Sequence, residues 1–383
     1  MKIVKILSYT FFWISTYIIP KKNNLYIFVN TNWKTFSWNT KTIYKYILNN
    51  EKNIIPIYIW DNFIKSNSLK AYYYTIIAKY IFIENDLSQI SNYILAYQPW
   101  NLNIINLWHW EPIKKIWFDA NEKSYKKNNN NIYNYIYTNF FNNKVILWTT
   151  CSEVSKNNLN KSQKTNKYKI TWLARNDIFF NKKLIEKNIK KDLKIKNKKI
   201  ILYTPTYRDN WKNYEPIIIN NKLLKIINNE NYILLIKAHQ WDWNIIIKEN
   251  TNIINISKLN YDIQEIMNYS DILITDYSSI YIDFLLTNKP IIFYSFDKNK
   301  YLKSRNTYFK YEDVTIKETT AKNQNELEYI IKNIHFIKIE DNYINKYIKL
   351  KNLFHKYQNW WYCKNILNEI YNYEKYLNNN TIN

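Results

Sequence analysis

Glycine is missing from this chain altogether: there is none in 383 residues. At the usual abundance of about 7%, a chain this long holds about 27. Glycine supplies positive φ at turns and helix ends, and it lets backbone approach a ligand closely. Asn and Asp tolerate the left-handed region and can cover some of those positions. Phosphate-cradling turns are harder to cover, because there the missing side chain itself makes the room. The opposite excess is tryptophan, with 15 residues. Ile, Asn, Lys and Tyr dominate the chain, and all have codons of A and T alone. In such a genome UGA can be reassigned, to Trp in some bacteria and to Gly in others. A gene in which UGA means Gly, read as Trp, would lose its glycines and gain tryptophans. A protein that truly lacks glycine is the alternative, and TGG codons at positions 110, 117 and 172 would establish it.

Cysteine is scarce too. Cys151 and Cys363 are the two present, which excludes a disulfide framework and any metal-binding spacing. A reduced, cytosolic setting follows, with no cofactor or metal site expected and any magnesium requirement left open. Long apolar runs are also lacking. The longest, residues 6–20, is too short to span a bilayer comfortably. Ile18-Ile19-Pro20 is no signal-peptidase site. Lys2, Lys5, Lys21 and Lys22 flank this run, so residues 1–22 read as an interfacial membrane helix, with a core element as the alternative. Acidic residues are few: 31 against 55 Lys and Arg, a formal charge of +24. That balance favours an anionic partner, although lysine-rich codon usage contributes to it.

Short β-rich runs alternate with helical patterns, as in parallel sheets with crossover helices. Strands are expected at 25–29, 54–59, 81–83, 103–107, 132–138, 144–148 and 167–171, with helices over 40–50, 86–97 and from about 176. The charged stretch 188–199 reads as a linker. Strands then recur at 200–204, 232–238, 252–256, 271–275 and 290–295, with helices near 221–229, 262–268 and 279–287. These later strands are continuous apolar runs, which both-face burial demands. The chain is helical from about residue 322. Two doubly wound α/β domains in tandem result.

Ligands of open α/β sheets bind beyond the carboxyl ends of the strands, and four short segments sit there. SDILITDYSSIYIDFLLTNKPIIFYSFD (270–297), the strongest of them, ends a strand at Thr275, passes Asp276, and starts a helix at Ser278 or Ser279. Those serines can hold phosphate together with the helix-start N–H groups, or be simple caps. ILYTPTYRDN (201–210) places Thr206 and Arg208 after a strand. There Arg208 can clamp a diphosphate or pair with a neighbouring acid such as Asp209. His239 follows the strand LLIKA, and His109 follows another in the first domain. Two of the 4 histidines in matching loops could face one interdomain cleft.

These residues carry a family resemblance. The chain resembles the CDP-glycerol glycerophosphotransferases, which build teichoic acid and related polyol-phosphate chains. The family pattern Trp-His-Gly-Thr-Pro-Leu-Lys-Lys-x-Gly-x-Asp stands here as WHWEPIKKIWFD (108–119), and Gly-x-x-Arg-Asn-Asp as WLARND (172–177). Tyr-x-Pro-Thr-x-Arg-Asp stands as YTPTYRD (203–209), Thr-Asp-Tyr-Ser-Ser is intact at 275–279, and Ser-x-Asn-x-Lys is SWNTK (37–41). Trp110, Trp117 and Trp172 stand where the family has Gly, and Trp108 where it has Trp. Trp33, Trp38 and Trp100 join the misread set, with Trp211, Trp241 and Trp360 as further candidates. Glu111 departs from the family Thr.

The resemblance implies a GT-B-like fold: two Rossmann-like domains facing a cleft, with C-terminal helices crossing back. It divides the chain into an acceptor domain 23–187, the linker 188–199, a nucleotide-binding domain 200–340 and returning helices 341–383. The implied reaction moves glycerol phosphate, or another polyol phosphate, from a CDP-activated donor to the hydroxyl end of a lipid-linked polyol-phosphate chain, releasing CMP. His109 is expected as base. His239 and Arg208 would neutralise the diphosphate. Thr206, Asp276, Ser278 and Ser279 would bind the donor. A cytoplasmic protein on the inner membrane face is implied, with no nucleic acid partner. The alternatives are a GT-B nucleotide-sugar glycosyltransferase and a basic nucleic-acid-binding protein.

Overall fold

A computed structural model of the chain describes residues 14–15, 17–30, 38–60, 68–84, 103–120, 145–208, 217–238, 249–359 and 361–380. They form two compact units. The first comprises residues 1–109, 117–177 and 359–383; the second comprises 110–116 and 178–358.

The first unit is built on a six-stranded parallel sheet. Its strands are β1 (Lys22–Asn30), β2 (Ile55–Trp60), β3 (Ala78–Ile83), β4 (Asn103–Asn106), β5 (Val145–Thr150) and β6 (Tyr168–Ile170). Their spatial order is β2-β1-β3-β4-β5-β6. Alternate residues of a strand share a face. Tyr26 and Phe28 therefore lie opposite Tyr80 and Phe82 on β3, and the rings of Phe28 and Phe82 stack at 4.5 Å. Ile43 and Ile47 of helix Trp38–Asn50 close this face, as do Cys363, Ile366, Leu367 and Ile370 of helix Tyr362–Asn380. The last helix, Tyr362–Asn380, thus packs in the first unit.

The second unit repeats the plan. Its strands are β7 (Lys199–Thr204), β8 (Tyr232–Ile236), β9 (Ile253–Asn255), β10 (Ile272–Thr275), β11 (Ile291–Tyr294) and β12 (Thr320–Ala321), in the order β12-β11-β10-β7-β8-β9. All pairings are parallel. The strand order reverses between β7 and β10, and in doubly wound sheets the crevice at such a reversal is where ligands bind. Thr204 and Thr275, the last residues of those strands, are register partners. Both sheets have the Rossmann-like architecture expected of a GT-B-like α/β fold.

Several elements differ from the sequence expectation. Residues 188–199 are not a bare linker: Ile189 and Ile195 are buried, and residues 189–192 form a helical turn. The second unit begins at Ile178, whose carbonyl accepts the Asn268 amide at 2.7 Å. It ends at Gln358 rather than 340, because helix Asp341–Phe354 is anchored to it. There the Tyr347 hydroxyl donates to the carbonyls of Leu285 and Lys289, at 3.2 and 3.1 Å. A 3-10 turn, Ala174–Phe179, replaces the helix expected near 176. The helix expected over 279–287 is α-helical over Ile280–Phe284 and 3-10 over Leu285–Thr287. The expected strand 132–138 and helix 86–97 lie outside the described residues. So does most of the N-terminal segment, where Ile14, Tyr17 and Ile18 are exposed. Among the described residues no helix is long and apolar enough to cross a membrane.

Backbone at positive φ is where glycine would be expected. Lys164 and Asn288 take it at helix C-caps, with φ 51° and 56°. Tryptophan takes it at Trp38 (70°), Trp108 (47°), Trp117 (49°), Trp172 (74°) and Trp361 (113°).

Candidate active site

In the first unit the site is the loop after β4. Its backbone is held from four sides. The Asn106 carboxamide oxygen accepts the Trp108 N–H at 2.9 Å, and the Thr149 hydroxyl donates to the Leu107 carbonyl at 2.5 Å. Asn39 donates its amide to the Trp108 carbonyl at 2.7 Å, and Arg175 donates a guanidinium N–H to the His109 carbonyl. His109 Nδ1 lies 3.0 Å from the carbonyl oxygen of Glu84, just past β3. A carbonyl oxygen can only accept. The proton of the neutral ring therefore sits on Nδ1, and Nε2 carries the lone pair. Burial pushes the His109 pKa down to about 3; the Glu84 hydrogen bond opposes that shift and the Arg175 charge adds to it. The ring is neutral at physiological pH, in the state a proton acceptor needs.

In the second unit Asp276 organises the strand ends. Its carboxylate accepts the Thr206 N–H at 3.0 and 3.1 Å, the Thr206 hydroxyl, and the Tyr277 N–H at 2.6 Å. Arg208 donates to Asp276 at 2.8 Å and to Asp297 at 2.8 and 3.1 Å, and also to the Thr206 carbonyl. All three charged side chains are at most 5% exposed. Burial alone would lower the Arg208 pKa, but Asp276 and Asp297 outweigh it and hold the guanidinium above its ordinary value. The rings of Tyr277 and Tyr301, stacked at 4.0 Å, lie 5.2 and 4.9 Å from the guanidinium carbon. The protein itself thus engages Arg208 through two carboxylates, 68 and 89 residues away along the chain. Asp209, the acid expected from proximity in sequence, lies outside the described residues.

The next residues reach the surface. Ser278 and Ser279 are half-buried. The Ser278 hydroxyl accepts the Ile280 N–H at 3.4 Å, whereas Ser279 caps nothing with its side chain. Thr206, Arg208, Asp276, Ser278 and Ser279 therefore lie together at the sheet's point of reversal. His109 belongs to the first unit, and His239 falls outside the described residues. Asn39, Glu84, Arg175 and Asp297 were not expected at the site, though each left a trace. Asn39 lies in SWNTK (37–41) and Arg175 in WLARND (172–177), and Glu84 directly follows an apolar strand. Asp297 closes the strong segment 270–297, two residues past the expected strand 290–295.

This is a Rossmann-like, two-unit α/β protein with buried charged and polar side chains gathered at its strand ends. Over residues 10–372 the chain matches the CDP-glycerol:poly(glycerophosphate) glycerophosphotransferase family, and it belongs to that family. It is an enzyme that transfers glycerol phosphate from CDP-glycerol in teichoic acid synthesis. A teichoic acid poly(glycerol phosphate) polymerase of Bacillus spizizenii is 28% identical over 77% of this chain and 80% of its own length. A teichoic acid glycerol-phosphate transferase of Staphylococcus aureus is 24% identical over 88% and 89%. The wall teichoic acid polymerase TagF, in a structure soaked with CDPG, shares the fold. Its TM-score is 0.77 at 20% identity, covering 96% of this chain and 93% of that one.

Proposed function

We propose that His109 is the general base of the transfer and that the 275–279 turn holds the donor's phosphates. The hydroxyl at the end of a lipid-linked polyol-phosphate chain would attack the β-phosphate of CDP-glycerol. A new O–P bond forms, the bridging P–O bond breaks, CMP leaves, and the hydroxyl proton passes to Nε2 of His109. Catalysis of this kind rests mainly on positioning and charge neutralisation. The observation that carries the reading is the Nδ1 contact with the Glu84 carbonyl, which leaves the lone pair of a neutral imidazole on Nε2. Ser278 and Ser279 would contact the phosphates directly. Thr206, Asp276 and Arg208 would hold the turn, and His239 would add positive charge. Acid–base catalysis by a positioned side chain contributes about 10²–10⁴-fold. His109→Ala is therefore expected to lose at least about 100-fold in kcat with CDP-glycerol, read as CMP release. Full activity in that variant would rule His109 out as base. The chain's surplus of basic residues suits a polyanionic acceptor on the cytoplasmic face of the membrane.

We also propose that several tryptophans stand at glycine codons. Trp117 and Trp172 support this twice, by family pattern and by positive φ, and Trp38 by φ. Trp361 joins them on geometry, since its φ of 113° lies far beyond the left-handed basin near 57°. Positive φ alone is not sufficient: Trp108 has it where the family itself has Trp. TGA at positions 117, 172 and 361 is the expected reading of the gene, and TGG there would end the idea.

A further inference from the structure

We infer that Asn39 is a positioning residue for His109, a role that rests on His109 being the base. Asn39 is fully buried, and its carboxamide is used on both sides. Nδ2 donates to the Trp108 carbonyl at 2.7 Å, and Oδ1 accepts the Arg175 N–H at 2.9 Å. Arg175 in turn donates to the carbonyl of His109. One side chain thus ties the start of helix Trp38–Asn50 to the 3-10 turn Ala174–Phe179 and to the loop bearing the imidazole.

The next residue completes the clamp. Thr40 donates its N–H, at 2.5 Å, and its hydroxyl, at 3.0 Å, to the Glu84 carboxylate. The carbonyl of that same Glu84 receives His109 Nδ1–H. Residues 39 and 40 therefore set both ends of the histidine: Asn39 its backbone, Thr40 the acceptor that determines its tautomer. The helix start is separated in sequence from the carbonyl Asn39 holds by 69 residues, and from Arg175 by 136. No local propensity brings them together, and a buried carboxamide with both ends engaged is costly to leave half-paired. Asn39 acts through His109 and touches no reacting atom.

The test is a double-mutant cycle on the full-length enzyme. Asn39→Asp keeps the acceptor for the Arg175 N–H but sets an oxygen against the Trp108 carbonyl. It is expected to lower kcat about 10- to 100-fold, the cost of a small misplacement of a reacting group, with KM for CDP-glycerol unchanged. Asn39→Ala, which breaks both bonds, should behave alike if it folds; thermal melting identifies a variant that does not. In the His109→Ala background the loss from Asn39→Asp should vanish, because no imidazole remains to misplace. An equal loss in both backgrounds would overturn the positioning role while leaving His109 as base. So would a kcat within about twofold of the parent. Full activity of His109→Ala alone would instead sink the base assignment, and this role with it.

Discussion

At Trp361 the backbone and the side chain make opposite demands. Its φ of 113° is one that a side chain with a β-carbon resists, yet the residue is 41% exposed and its ring lies 5.1 Å from the Lys364 ammonium at the surface. Left-handed backbone costs an L-residue roughly 1–2 kcal/mol, and glycine escapes most of that cost. Trp361→Gly is therefore expected to stabilise the protein by about 1 kcal/mol in denaturant unfolding. A loss of stability would show that the indole matters more than the strain. Trp172 could not decide the matter. It is fully buried and donates to the Cys151 carbonyl at 2.6 Å, so removing it sets a similar backbone gain against a packing loss of roughly 3–5 kcal/mol.

Among the elements, the last helix shows how one carboxylate can dock a segment. The Asp177 carboxylate accepts the N–H groups of Trp361, Tyr362 and Cys363 at 3.3, 2.9 and 3.1 Å. These are donors that the first helical turn cannot satisfy internally. Asp177→Ala should cost about 1–2 kcal/mol and speed hydrogen exchange at the start of helix Tyr362–Asn380 while leaving β10 protected. Unchanged exchange in that first turn would contradict the capping role. The helix itself is legible in the chain, from apolar residues at helical spacing. Its anchor is not, because Asp177 lies 185 residues before Tyr362. The 188–199 stretch misled for a related reason: its charges read as solvated, while Ile189 and Ile195 carry the packing.

Charge acts on the molecule as a whole. A surplus of +24 spread over the chain attracts a polyanionic chain at long range but adds little to a small ligand gripped at contact. Raising ionic strength toward about 1 M, where the screening length is about 3 Å, should raise KM for the polymeric acceptor several-fold and KM for CDP-glycerol much less. Equal changes in both would show that the surplus is only codon bias.

The two α/β halves, the ends of most strands and the motif loops were readable from the chain alone. Periodicity, continuous apolar runs and turn chemistry are local properties of sequence. The 232–238 run, for instance, became β8 at Tyr232–Ile236, and 271–275 became β10 at Ile272–Thr275. Tertiary structure alone decided which residues hold the candidate groups in place. It turned Arg208 toward Asp276 and Asp297, and gave His109 its acceptor at Glu84 and its brace at Asn39. The physical reason is distance along the chain. A hydrogen bond spanning tens to hundreds of residues leaves no periodic trace, and it exists only once the sheets have brought their strand ends side by side.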